Sequence, residues 1–126
     1  MTTVWVLLAT GLAGGAVVLW LLLRRRPTPE ERERRRRQAV NARGRIHDGV
    51  ILEVQAVQAP SGAVCHLLQY SYDLHGVGYT AAQDISALLA YVPGDPRRLA
   101  GPVSVKYLPR NPSNSIVICE QWSGLR

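Results

Sequence analysis

Residues 64–81 read VCHLLQYSYDLHGVGYTA, and this stretch decides the fold class. Val64 to Leu74 has the apolar and aromatic content of a strand, with Tyr70 and Tyr72 inside it. His75-Gly76-Val77-Gly78 supplies the glycine that a tight reversal needs, and Tyr79-Thr80-Ala81 runs back. The pattern predicts a β-hairpin.

Upstream, Val50, Leu52 and Val54 alternate with Ile51, Glu53 and Gln55, which predicts a first strand with one apolar face. Pro60-Ser61-Gly62 turns it into the hairpin. Downstream, Asp84 to Val92 reads as a short helix capped by Asp84, or as a loop, and ends at Pro93-Gly94-Asp95-Pro96. Val103, Val105 and Tyr107 alternate with Ser104 and Lys106, and Ser115 to Cys119 gives a last strand. Between them, Pro109, Asn111 and Pro112 read as a rigid structural turn, since both prolines fix φ and Asn bonds its own backbone. Five short strands predict a mainly β fold, a small antiparallel barrel of SH3-like or OB-like size, because closure removes exposed edges. The domain expected is 46–126, with 81 residues, enough for one small core.

Towards the N-terminus the composition changes twice. Residues 24–45 carry ten Arg against three Glu, a local balance of +7, whereas from residue 46 on five basic face six acidic side chains, a balance of −1. The formal charge of +6 therefore belongs to the 24–45 segment, and a nucleic-acid partner is disfavoured for the domain. Thr28-Pro29-Glu30-Glu31 has the form of a helix start. Glu30/Arg34, Glu31/Arg35 and Glu33/Arg37 are i, i+4 pairs on the helix that follows. With no apolar residue before Ala39 and Val40, this basic juxtamembrane helix is expected to be solvated on nearly all sides.

Val4 to Leu23, VWVLLATGLAGGAVVLWLLL, contains no charge, amide or proline. As a helix it spans about 30 Å, the thickness of the hydrocarbon layer, so 1–23 is expected to be a transmembrane anchor. A cleaved signal peptide fits less well: no basic residue precedes the run, and no small-x-small site follows it. Trp5 and Trp20 stand where interfacial anchors are found. Gly11 and Gly15 form G-x-x-x-G, which suits helix–helix packing in a homodimer, although glycine is common in membrane helices in any case. The Arg excess after the helix places the N-terminus outside and the C-terminal domain in the cytoplasm. Arg24, Arg25 and Arg26 suit contact with anionic lipid headgroups, and a topology signal explains them equally well.

Gly44 before an apolar strand, Tyr70 and Tyr72, the Gly76 turn to Tyr79, and Val103-x-Val105-x-Tyr107-x-Pro109-x-Asn111-Pro112-x-x-Ser115 together resemble the bacterial domain-of-unknown-function family 3592. The resemblance covers residues 44–118 and implies a small β domain beside membrane helices, hence a bacterial inner-membrane location. The segment Ala82 to Ala100 and the tail Glu120 to Arg126 depart from that pattern.

Chemistry-bearing residues are sparse. Cys65 and Cys119 match no zinc spacing and read as small buried residues, with a bridge plausible only in an oxidising compartment. Cys65 and His66 are adjacent, so on a strand they point to opposite faces. There is no phosphate-binding Gly loop, H-E-x-x-H or C-x-x-C, and neither cofactor nor metal is expected. The function expected is a membrane-anchored, non-catalytic β domain that presents an interaction or envelope-support surface to a protein partner. A lipid- or small-ligand-binding module is the alternative, with the barrel mouth or the 82–100 insert closing over an apolar molecule. A hydrolase built on His66, and on His47, His75 or the cysteines, comes third.

Overall fold

The structure, a computed structural model, describes residues 2–24 and 27–126, with side chains from residue 11 onward. Arg25, Arg26 and the side chain of Trp5 lie outside the described residues. Two compact units are present, Met1–Arg32 and Glu33–Arg126.

In the first unit, helix α1 (Thr2–Leu23) has 22 residues and no charge. Its described side chains, Leu12, Val17 and Val18 through Leu23, are exposed. Among the described residues no helix is long and apolar enough to cross a membrane.

Helix α2 covers Pro29–Arg43, and Thr28 Oγ1 accepts the Glu31 N–H at 3.2 Å, the cap that the sequence predicts. From Glu33 on, α2 belongs to the second unit. There it is not solvated all round: Arg37 and Val40 are buried, and Val40 packs with Ile116, Cys119, Leu108 and Trp122. Glu33, Arg36, Arg37 and Val40 repeat at i, i+3, i+4 and i+7, which is one helical face. Arg37 bonds Glu120 at 2.6 Å and Glu33 takes Arg36 at 2.7 Å, in place of the Glu33/Arg37 pair expected. The unit that contains the barrel therefore takes in residues from Glu33, upstream of the expected start at Ile46.

Strands β1 (Arg45–Gln58), β2 (Val64–Leu74), β3 (Val77–Asp84), β4 (Gly101–Leu108) and β5 (Asn111–Ile116) form one antiparallel sheet in the order β3-β2-β1-β4-β5. A hairpin of β6 (Ile118–Cys119) and β7 (Trp122–Ser123) follows. The fold is mainly β, with a nearly closed, barrel-like sheet and short helices. The hairpin of residues 64–81 forms as predicted. His75 and Gly76 both have positive φ, 51° and 85°, the backbone of the tight turn whose twist suits two flanking strands.

β1 makes the barrel possible because it pairs with β4 from Arg45 to Ile51 and with β2 from Val50 to Gln58. Two local features let one strand serve both neighbours. A Cβ at Gly49 would lie 2.6 Å from Val105 Cγ2 and 2.8 Å from the Ser71 carbonyl oxygen, so only glycine fits between β2 and β4. Two residues later Leu52 is an extra residue, since Ile51 pairs with Tyr70 and Glu53 with Gln69. This bulge reverses the inward parity. The buried face is Gly49, Ile51 and then Val54, whereas Val50 and Leu52 point out, which corrects the apolar face of Val50, Leu52 and Val54 read from strict alternation.

The 84–92 segment becomes a 3₁₀ helix, Ser86–Tyr91, entered by an Asp84 side chain that accepts the Ser86 N–H at 2.9 Å. The structural turn after β4 is also revised. Pro109 and Arg110 make it, while Asn111 and Pro112 already belong to β5. The tail is part of the fold: Ser104 N donates to the Gly124 carbonyl at 2.9 Å, and Leu125 bridges to Val103.

Candidate functional site

The interior is filled from β2 outward. Tyr70 and Tyr72 stand two apart on β2 and so share the inner face, and Tyr72 stacks on Tyr79 and Tyr107 with centroids 5.4 and 6.5 Å away. Their hydroxyls converge on Ser115 of β5. Tyr70 Oη lies 2.6 Å and Tyr72 Oη 3.0 Å from Ser115 Oγ, and Tyr72 also donates to the Pro112 carbonyl. Burial pushes the Tyr70 phenol up to about 12 and raises Tyr72 as well, against the opposing pull of the Ser115 bond.

Arg36 of α2 meets the same node from outside, donating to the Ser115 carbonyl and to Asn114 Oδ1, each at 2.9 Å. Beside it, Arg37 is 3 % exposed, and its bond holds the Glu120 carboxyl below the usual carboxylate range. Sequence reading assigned neither contact, yet the signal was present in the helical spacing of Glu33, Arg36, Arg37 and Val40.

β3 and β5 run in the same direction and meet at the seam of the barrel. There the fully buried Gln83 substitutes for a ladder. Its Oε1 accepts from Val117 N at 2.7 Å and from Ile118 N at 3.2 Å, and its Nε2 donates to the Ile118 carbonyl at 2.6 Å. Gln83 follows Tyr79 and Ala81 at period two, which is the signal that places a polar side chain inward.

The outer surface is less self-contained. Ile46, Val50 and Leu52 of β1 are 58 %, 46 % and 52 % exposed, and the exposed Pro102 lies across from Val50. A second exposed feature is a groove of about 460 Å³ at the end of α2, lined by Arg43, Leu108, Pro109, Arg110 and Asn111.

Among the residues singled out from sequence, Arg24 stands with its guanidinium 4.1 Å above the Trp20 ring, a cation–π contact at the end of α1. Gly11 and Gly15 have open space where a Cβ would stand. Cys65 and Cys119 are both free thiols: Cys119 is buried against Val40, and Cys65 is half-buried opposite Val57. The His66 backbone is held by Ser86 Oγ and Ile85 N, and its buried Nδ1 has no hydrogen-bond partner. His66 and Cys119 are thus not joined as a nucleophile and base. Among the described residues no group of His, Cys, Asp and Glu is placed to hold a metal ion.

Compared with protein-family models, curated proteins and solved structures, the chain matches none.

Proposed function

We propose that the chain is a membrane-tethered, non-catalytic β domain that presents the outer face of β1 to a protein partner at the cytoplasmic surface of a bacterial inner membrane. The observation that carries this reading is the exposed apolar side chains Val50 and Leu52 on the outer face of β1, with Ile46 beyond the charged Asp48, on a barrel whose inner polar groups bond one another. Val50 and Leu52 are neighbours on that face and the exposed Pro102 lies across from Val50, an apolar patch that a partner would cover. The uncharged 22-residue α1 supplies the tether, with Trp20 and Arg24 paired at its headgroup end. Gly11 and Gly15 leave room for a second helix there.

The strand order supports the OB-like alternative over the SH3-like one. Around the ring the strands run β1, β2, β3, β5, β4, with β3 and β5 parallel at the seam and the short helices between β3 and β4. The resemblance to family 3592 rests on the glycine, tyrosine and Pro-x-Asn-Pro residues that carry it, and it is in keeping with a small β domain beside a membrane helix.

Two measurements test the proposal on the full chain. The protein should stay in the membrane pellet after carbonate extraction, and a photo-crosslinker at Leu52 should yield one discrete adduct that Val50→Asp abolishes. Release by carbonate overturns the tether, and a Leu52 probe that captures nothing overturns the interface.

A further inference from the structure

We infer that the groove at the end of α2 is an anion site for a phosphate ester, with Arg43, Arg110 and Asn111 as its donors. The groove holds about 460 Å³ and is lined by two guanidiniums, one carboxamide and the apolar Leu108 and Pro109. No carboxylate lines it. Six of the seven acids of this unit are engaged elsewhere: Glu33 with Arg36, Asp48 with Arg126, Glu120 with Arg37, Glu53 with Gln55, and Asp84 and Asp95 with backbone N–H groups. Among the described residues neither Arg43 nor Arg110 has an ion-pair partner.

Asn111 adds a donor of fixed sense. Its Oδ1 accepts the Ser113 hydroxyl at 2.8 Å, which leaves its Nδ2 to donate. Every polar side chain of the groove thus offers hydrogens, and two carry full positive charge. A tetrahedral dianion with three or more acceptor oxygens answers that set better than a planar carboxylate, which one guanidinium fork already satisfies. The volume exceeds what bare phosphate needs and falls in the range of small-ligand pockets, so Leu108 and Pro109 have space to cover the carbon side of an ester. Phosphate on a soluble metabolite and phosphate in a lipid headgroup share this chemistry.

The experiment uses the full chain in nanodiscs and follows the Asn111 side-chain amide by NMR. In phosphatidylcholine discs, glycerol 3-phosphate is titrated, with acetate as control; in a second set the discs themselves contain phosphatidic acid. A saturable Asn111 shift with glycerol 3-phosphate but not acetate supports a soluble ester, and a shift on changing the disc lipid supports the headgroup. Either shift should weaken at least about tenfold, about 1.4 kcal/mol, in Arg43→Gln/Arg110→Gln. Both arginines are exposed and have no ion-pair partner among the described residues, and the Tyr70 and Gln83 resonances report that the variant is folded. No shift from either phosphate source, an equal response to acetate, or a double variant that binds like the parent would overturn the assignment.

Discussion

Gln83 shows how one residue can take the place of a strand ladder. Its amide serves two backbone N–H groups and one carbonyl, all of them buried. In Gln83→Leu these three groups lose their partner while the volume is kept, and each orphaned group costs about 1–3 kcal/mol. Urea unfolding should show a loss of about 3 kcal/mol or more, whereas an exposed neighbour such as Ala82→Ser should stay within about 0.5 kcal/mol. Tyr70 gives a second prediction at this scale. Its phenol holds the proton up to about 12 in the fold, whereas an unfolded tyrosine releases it near pH ~10. The folded state therefore binds more protons in that window, and stability falls as pH rises through it. Tyr70→Phe should remove most of this alkaline loss, read from chemical unfolding along a pH series.

Among the elements, β1 carries the most architectural information, and a single inserted residue decides which of its faces is inside. Deletion of Leu52 would make the ladder regular and leave Ile51 and Val54 inward and Glu53 outward, because Ile51 and Glu53 already face consecutive residues of β2. The expected outcome is that the deletion variant, like Leu52→Ser, still unfolds cooperatively on heating, whereas Ile51→Asp, which sets a charge at a core position, abolishes the cooperative transition. This element also marks the limit of what could be read from the sequence. The hairpin of residues 64–81 was legible because turn chemistry and strand composition agree there over a short range. The bulge was not, because Val50-Ile51-Leu52 is apolar at every position and alternation alone has no means of choosing between its faces. Likewise the Pro109-Arg110-Asn111-Pro112 stretch reads as a turn throughout, yet pairing of Asn111 with Leu108 draws its second half into β5. The arginines of α2 were legible as charge, and their spacing with Glu33 and Val40 as one helical face, but what that face meets was not. Their partners Ser115 and Glu120 lie about eighty positions away, and no local rule links them.

For the molecule as a whole, the α2 face meets the barrel through Arg36, Val40 and one deeply buried cation, Arg37. Arg37 lowers the Glu120 pKa, so the unfolded carboxyl takes up its proton at a higher pH than the folded one. The stabilisation is complete above the usual carboxylate range and is lost as pH falls through the depressed value. Glu120→Gln should flatten the acid limb of the stability profile while lowering stability at neutral pH, because Arg37 would then be buried without a counter-charge. Equilibrium unfolding of parent and variant from neutral to acidic pH checks both parts. The outer face of β1 lies elsewhere on the fold, so the Leu52 crosslink should persist in Glu120→Gln at neutral pH. The Arg43–Arg110 groove stands beside α2, and its response to phosphate should weaken together with the helix.

A cylinder of four ladders and one carboxamide has a weakest stave. Thermal breathing should begin where β3 meets the end of β5 and the start of β6, and there the Val117 and Ile118 amides would exchange with deuterium well before those shared by β1 and β2. Once parted, the two strands present bare, unmatched rims to any neighbouring chain. The buried glutamine thus guards the one junction that no strand ladder holds.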